Sequence, residues 1–273
     1  MQRSHRLNQI VSAVVARGRI DVPTLASEFG VSYATIRRDL DALQDQRLVR
    51  RTHGGATIHA AFHDLPLSYK TARELPQKRS IARRALEFLR DARVIGTTGG
   101  TTVTQFANLL HDRDGLTVVT NALNIAADLI GNPRLRVVIA GGEVRGSSQE
   151  SVGRGAEAFL SGYPVDVAFV GVDGVDATAG CTTYDPAGAR VNAALVRRAR
   201  TKIVLADATK IGRVTLAPVC PMREVDVLIT DSRAPAGEIA RIRALGCRVI
   251  RVPAASQQAG PCETGDGAEE HGT

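Results

Sequence analysis

Two arginine pairs pose the first chemical question in this chain of 273 residues. Arg37 and Arg38 stand together near Ala34 and Asp41, and Arg50 and Arg51 stand together further on. A guanidinium fork makes paired hydrogen bonds to a base edge or a phosphate, so two such pairs suit a polyanion. A second set of stretches suits a small anion: Thr97-Thr98-Gly99-Gly100-Thr101-Thr102, Gly141-Gly142-Glu143-Val144-Arg145 and Asp207-Ala208-Thr209-Lys210. Glycines let backbone amides converge, hydroxyls add donors, and a basic side chain adds charge. Each feature also has an ordinary reading. The arginines could be a solvated helix face, the glycines capped turns, and Lys210 a surface ion pair with Asp207. The GGTT run is not a Walker loop.

The elements that must position the arginines are legible. Leu7, Ile10, Val11, Val14 and Val15 recur at helical spacing, and Gly18 ends that helix. Asp21 is placed to cap a second helix, with Pro23 in its first turn and Gly30 at its end. Leu25, Ala26 and Phe29 form its apolar face. Ser32 is placed to cap a third helix, in which Ile36, Leu40 and Leu43 make one buried stripe. Ala34, Arg37, Arg38 and Asp41 lie on the other face. Residues 49–52 and 56–59 flank Gly54 and Gly55, a two-residue hairpin signal that carries Arg50 and Arg51. Helix, tight turn, helix and basic hairpin together predict a winged helix-turn-helix that reads a major groove.

Residues 57–73 lose periodicity, and Pro66 with scattered polar residues predicts a linker. From there helices and strands alternate. Strands are expected at 93–96, 116–120, 135–140, 165–172, 201–206, 225–230 and 247–252. Helices are expected at 75–90, 101–110, 122–130, from 156, at 189–200 and at 238–245. Glu74 and Lys78 have the spacing of a supporting i,i+4 pair. Continuous Val, Ile and Leu runs mark strands buried on both faces, so the second domain is predicted to be α/β with a largely parallel sheet. Ligands of such sheets sit beyond the carboxyl ends of the strands, where the glycine-rich, Thr120-Asn121, Gly171-Val172-Asp173-Gly174 and Asp207–Lys210 stretches all fall. The domain division is 1–58, a linker at 59–73, an α/β domain at 74–252, and a polar tail at 253–273 read as disordered.

Composition bounds the partners. A net charge of +7 favours a polyanion, and residues 1–60 hold nine Arg against five Asp or Glu, so over half the surplus sits in the first domain. Aromatic content of only 4%, with no Trp, requires a core of aliphatic residues. The cysteines at 181, 220, 247 and 262 form no C-x-x-C pair, which indicates neither a metal site nor a redox motif. No apolar run approaches the roughly 18 residues of a membrane span. Without a signal peptide the expected compartment is the cytoplasm.

The run VSYATIRRDLDALQDQRLVRRTHGGA resembles the N-terminal winged helix-turn-helix of the DeoR family of bacterial transcriptional regulators. Its S-x-x-TIRRDL and HGGA segments carry the resemblance. It implies DNA contacts at Ser32, Tyr33, Thr35, Arg37 and Arg38 on the third helix, and at Arg50 and Arg51 on the wing. Beyond Glu74 the chain is similar to the effector domain of the family, which opens with E-x-x-x-K-x-x-IA and is related in fold to ribose-5-phosphate isomerase and the CoA-transferases. The matching segments are GGTT, TN, GGEVR, DVAFVGVDG, ADATK and ITD. They imply effector contacts at Gly100, Thr101, Thr102, Asn121, Gly142, Arg145, Asp207 and Lys210. Three positions depart from the family, which usually has Asp where Thr98 stands and Glu and Lys where Gly188 and Asn192 stand.

The resemblance implies a ligand-controlled regulator, most simply a repressor of a carbohydrate-catabolism operon. Its partners are operator DNA, an anionic metabolite such as a phosphorylated sugar, and further copies of itself. It calls for no cofactor, metal or catalytic residue. The competing readings are a sugar-phosphate isomerase with a DNA-binding appendage, and a DNA-binding protein whose second domain only oligomerises. The missing acids count against the isomerase, because abstracting a proton from a sugar needs a positioned carboxylate. The many polar strand ends count against the purely oligomerising domain.

Overall fold

The apolar stripes of the first fifty-eight residues close on one another. The computed structural model describes residues 3–46, 48–58, 67–71 and 73–254. In it α1 (Arg3–Arg17), β1 (Arg19–Asp21), α2 (Val22–Phe29), α3 (Tyr33–Asp45), β2 (Val49–Thr52) and β3 (Gly55–Ile58) surround a core that includes Ile10, Val14, Leu25, Ile36, Leu40 and Leu43. The expected caps are present. Asp21 accepts the Thr24 N–H at 2.8 Å, Ser32 accepts that of Thr35 at 3.2 Å, and Gly30 takes φ +62° at the end of α2. The side chain of Val15 and residue His59 lie outside the described residues.

The hairpin turn differs from expectation by one residue. Thr52 pairs with Gly55, so the loop is His53 and Gly54, with Gly54 at φ +85°. Gly55 belongs to the strand because β1, which the sequence reading leaves unassigned, pairs with β3 on its other side in the order β1-β3-β2. A Cβ at Gly55 would lie 2.2 Å from the Ile20 carbonyl oxygen, so the third strand itself requires glycine there.

Within the expected linker, residues 67–71 form a short helix, α4 (Leu67–Thr71). Five residues carry no readable period, and tertiary bonds hold the helix. The Leu67 N–H donates to the Ser147 carbonyl at 2.7 Å, and Lys70 reaches Asp173. The rest of the linker, apart from Arg73, and residues 255–273 of the tail lie outside the described residues.

The second core is a three-layer α/β/α arrangement. In chain order its elements are α5 (Leu75–Ala85) with a 3-10 turn at Leu86–Leu89, β4 (Val94–Thr97), α6 (Thr101–Ala107), β5 (Leu116–Thr120), α7 (Leu123–Leu129), β6 (Leu135–Ile139), β7 (Glu143–Arg145) and β8 (Glu150–Val152). Next come α8 (Arg154–Ser161), β9 (Val165–Gly171), β10 (Gly174–Asp176), β11 (Gly180–Thr183), α9 (Pro186–Arg198), β12 (Ala199–Leu205), β13 (Ala217–Cys220), β14 (Val227–Asp231), α10 (Ala236–Ala244) and β15 (Arg248–Val252). All seven expected strands are present. They form one wholly parallel sheet in the order β15-β14-β12-β9-β4-β5-β6.

Alternate residues of each strand enter opposite layers. Ile95, Phe169 and Ile203 pack with Ile81, Phe106 and Ile125 on one face. Val170, Val204 and Leu228 pack with Leu160, Leu195 and Ile242 on the other. The β7–β8 hairpin and the antiparallel β10-β11-β13 sheet are additions that the sequence reading does not contain. From β4 the chain winds one way through β5 and β6, then returns to β9 on the other side. The carboxyl ends of β4 and β9 therefore flank a topological switch point, where a crevice must open.

Candidate functional site

The first candidate surface is the outer face of α3. Its capped start ties Thr35 to Ser32, whose hydroxyls lie 3.0 Å apart. Tyr33, Ala34, Arg37 and Arg38 are exposed in a row along the helix, and Tyr33 is unusual for a large ring in being 54% exposed. Behind them Asp39 is buried and accepts a 2.6 Å bond from Arg6 Nε, with Arg3 Nε at 3.5 Å, so α1 and α3 are pinned through an ion pair. Sequence reasoning missed Asp39, although its place one residue before Leu40 put it near the buried stripe.

The two wing arginines have different surroundings. Arg50 is exposed. Arg51 is turned back onto α3, where its guanidinium donates to the Arg37 carbonyl at 3.2 Å and lies 3.2 Å from Asp41 Oδ1. Its own N–H donates to Gln44 Oε1 at 3.1 Å. Arg51 therefore fastens the wing to the helix, and Arg50 presents charge outward.

The second candidate site is a cavity of about 350 Å³ at the switch point. Gly99 and Gly100 lead from β4 into α6, and Gly100 takes φ +106°, which disfavours any side chain. Gly171, at the end of β9, approaches so closely that a Cβ on it would lie 2.5 Å from the Gly99 carbonyl oxygen. These contacts bring the backbone of two neighbouring strand ends to one rim. Thr101 and Thr102 follow in the first turn of α6 and line the cavity.

Of the eight expected effector contacts, Gly100, Thr101, Thr102, Arg145, Asp207 and Lys210 line this cavity. Asn121 and Gly142 are not part of the lining. Asn121 is buried behind it, donating to the Ser151 carbonyl at 3.2 Å and to Glu150 Oε1 at 3.4 Å. Gly142 permits close chain packing, since a Cβ there would lie 2.7 Å from the Val152 carbonyl oxygen. Among the three departures from the family pattern, Gly188 and Asn192 line the cavity. Thr98 does not: its buried hydroxyl accepts the Gly171 N–H at 2.9 Å and ties β4 to β9.

Several lining residues were not foreseen. Glu150 props the Gly99 loop from below, accepting the Gly99 N–H at 2.9 Å, and burial pushes its carboxyl above the ordinary range. Lys78 points away from the expected partner. Its Nζ donates to the Lys70 carbonyl at 2.6 Å, whereas the Glu74 carboxylate bonds Arg233. Burial brings the Lys78 amine down to about 8. The sequence held a signal for this, because Lys78 shares the helix stripe of Ile81 and Ala82, both buried.

Asp173 is the hub of the cationic side. Lys70 Nζ lies 3.2 Å and Lys210 Nζ 3.5 Å from its Oδ1, and the Thr183 hydroxyl donates to Oδ2 at 2.9 Å. Burial would raise this carboxyl, but the two lysines hold it at about 2. Lys210 is itself lowered by burial, against the pull of Asp173. Asp207 is turned into its own loop, accepting the Thr209 N–H at 3.1 Å, and Asp231 supports that loop through a 2.7 Å bond from the Ala208 N–H. Lysines, an arginine, hydroxyls and converging amides thus share one polar cavity. Among the described residues no group of three or more His, Cys, Asp or Glu could hold a metal ion, and no helix is long and apolar enough to cross a membrane.

Known proteins resemble both parts of the chain. Residues 6–61 match the family model of the DeoR-like helix-turn-helix domain, and residues 73–232 match that of the DeoR C terminal sensor domain. The glycerol-3-phosphate regulon repressor of Escherichia coli (strain K12) is 30% identical over 235 residues, which cover 86% of this chain and 93% of that protein. The HTH-type transcriptional regulator GlpR of Haloferax volcanii is 31% identical over 250 residues, covering 91% and 96%. Among solved structures, ribose 5 phosphate isomerase A from Neisseria gonorrhoeae is similar over 54% of this chain and 56% of its own, at 16% identity and a TM-score of 0.35. A likeness that loose carries no functional argument.

Proposed function

The chain belongs to the DeoR family of DNA-binding transcriptional regulators, and we propose that it represses a carbohydrate-catabolism operon until an anionic metabolite fills the 350 Å³ cavity. The observation that carries the reading is the shared cavity itself: Lys70, Lys210 and Arg145 stand with Thr101, Thr102 and the glycine rim at the switch point of the sheet. That set suits a phosphorylated sugar or a related metabolite. The named relatives regulate transcription, and one is a repressor of a glycerol-3-phosphate regulon. An effector acts only if it binds the DNA-competent and DNA-incompetent states with different affinity.

The DNA surface in this reading is Ser32, Tyr33, Thr35, Arg37 and Arg38 on α3, with Arg50 on the wing and Arg51 holding the wing in place. One such module has a small footprint, so the chain is proposed to act as a symmetric oligomer through residues after Glu74, reading half-sites a helical turn or a multiple apart. Its place of action is then the cytoplasm, with the DNA. The test is a titration of the full chain on DNA upstream of its own gene and its neighbours, with and without a panel of phosphorylated sugars. Saturable binding released about 5- to 150-fold by one ligand supports the reading. Absence of sequence-preferring binding, or affinity that no ligand moves, overturns it. Light scattering that shows only monomers at micromolar concentration overturns the oligomer.

A further inference from the structure

Two lining residues of the cavity, Ser148 and Asn192, each have a buried side-chain oxygen without a hydrogen-bond partner, and only Asn192 of the two is an amide on a helix wall. Asn192 lies on α9, is 5% exposed, and has a side-chain amide oxygen without a partner. A buried amide left unpaired costs free energy that a bound group can recover. The two ends of an amide exchange by a half-turn of the side chain, so the site offers a donor and an acceptor but no net charge. One turn earlier on the same helix Gly188 also lines the cavity and projects no side chain into it. A Cβ at Gly188 would meet only Asp185 within 4 Å.

The charges on this wall are already engaged. Asp185 Oδ2 accepts the Gly188 N–H at 2.6 Å, and Asp185 Oδ1 faces Arg145 Nε at 3.6 Å. Lys70 and Lys210 gather round Asp173 instead. A ligand carboxylate or ammonium placed against Asn192 would meet a neutral amide in place of an opposite charge, a poor exchange for the water it leaves. A ligand hydroxyl placed there can both donate and accept, as the amide does.

We infer that Gly188 and Asn192 form a specificity-determining subsite for an uncharged hydroxyl, so that the effector is a phosphorylated polyol or neutral sugar, not a phosphorylated sugar acid or amino sugar. The inference rests on the proposed reading of the cavity as an effector site, with the phosphate taken by the lysines and the loop before α6.

Calorimetric titration of the full chain with glucitol 6-phosphate, 6-phosphogluconate, glucosamine 6-phosphate and inorganic phosphate tests it. Glucitol 6-phosphate should bind at least about tenfold more tightly than the two charged ligands. Asn192→Asp should move the preference toward glucosamine 6-phosphate and Asn192→Lys toward 6-phosphogluconate, each by about tenfold or more. Each variant should shift inorganic phosphate in the sense of its added charge, weaker for Asn192→Asp and tighter for Asn192→Lys, while an unchanged circular-dichroism spectrum and a cooperative melt report that the protein is folded. Equal binding of the three sugars by wild type, or ratios untouched in folded variants, overturns the inference. Binding of inorganic phosphate without glucitol 6-phosphate overturns it as well, while leaving the anion site standing. Failure of all four ligands removes the anion site itself and the inference with it.

Discussion

Lys70 Nζ lies 3.2 Å from Asp173 Oδ1, which joins α4, the short helix that follows the wing in sequence, to the end of β9. The same helix donates Leu67 N–H to Ser147 and accepts Lys78 Nζ at the Lys70 carbonyl. A segment between the DNA-reading and ligand-holding parts of the chain is thus a wall of the cavity. An anion that draws Lys70 from Asp173 would act on this connection directly.

Asp173→Asn should therefore destabilise the second core by roughly 1–3 kcal/mol, because Lys70 and Lys210 lose the charge they share. The pH dependence has a definite sign. The Asp173 carboxyl is depressed from 3.8 to about 2, so its contribution is full above pH 4 and is lost as the pH falls through about 2. Thermal melts of wild type and variant should differ most near neutrality and converge below pH 4. Added inorganic phosphate should raise the melting temperature of Asp173→Asn more than that of wild type. A constant gap across that pH range would show that the ion pairs do not stabilise the fold.

Lys78 makes the opposite prediction. Its amine is depressed from 10.5 to about 8 by burial, so between those values the unfolded chain holds more protons than the folded one. Stability from this group must rise with pH across that window, by no more than about 3 kcal/mol. Lys78→Met should melt no lower than wild type at pH 7, lack this share of the rise toward pH 10, and bind phosphate more weakly. Chemical denaturation at pH 7 and 10 would check the first two points. A variant that is destabilised equally at both values would contradict the assignment.

The wing arginines should separate by the kind of damage their loss causes. Arg50 is exposed, and Arg50→Ala should lower affinity for all DNA sequences and flatten the salt dependence by about one unit. Arg51 is held by Asp41 and the Arg37 carbonyl. Arg51→Ala should weaken specific binding with little change in salt slope, because it loosens the wing against α3. Arg38→Ala should cost roughly 1–3 kcal/mol if the guanidinium reads a base. Fluorescence anisotropy at several salt concentrations distinguishes these outcomes, and identical slopes for Arg50→Ala and wild type would remove Arg50 from the interface.

Gly55 was legible as a hairpin residue but not for the reason that matters. Its strand is covered on both edges, and the Ile20 carbonyl occupies the place of a side chain. Gly55→Ala should abolish operator binding by displacing β1 or the wing, while phosphate binding in the second core persists. Loss of both functions, or of neither, would be the contrary result.

The sequence revealed most where one signal repeats along a continuous segment. The seven core strands were readable because runs such as LTVVT and LRVVIA are apolar on both faces, and the helix ends at Asp21, Gly30 and Ser32 were readable because capping is local. The strands β1, β7 and β10 have three residues each, too few for a period to announce them; β1 depends on the distant β3, and β7 and β10 on short hairpins to β8 and β11. The cavity was half legible for the same reason. The glycine and hydroxyl loop before α6 reads directly from GGTT, whereas Glu150 beneath it and Lys70 across it are placed by the hairpin and by α4. Thr98 shows the converse limit: a strand-end residue can serve the backbone of the next strand and never face the ligand.

Lys210 offers the most direct test of whether the cavity governs DNA binding. It is mostly buried, its amine is lowered by that burial, and its nearest charged partner is Asp173 at 3.5 Å. It stands on the loop that Asp231 holds through Ala208, some way along the chain from α4 and the wing. Replacing it therefore removes a ligand cation while leaving Lys70 paired with Asp173, the partner the two lysines share. Lys210→Ala should weaken the effector by about 1.5–3 kcal/mol, the worth of a charge-assisted bond, and leave effector-free operator affinity nearly unchanged. The dose of effector needed to release DNA should rise about 10- to 100-fold, while the DNA affinity at saturation returns to the wild-type value. Lys70→Ala, by contrast, should alter the effector-free operator affinity as well, because Lys70 lies on the connecting helix. If Lys210→Ala and Lys70→Ala shift the release curve alike and neither moves effector-free binding, the cavity senses the ligand but α4 does not carry the signal.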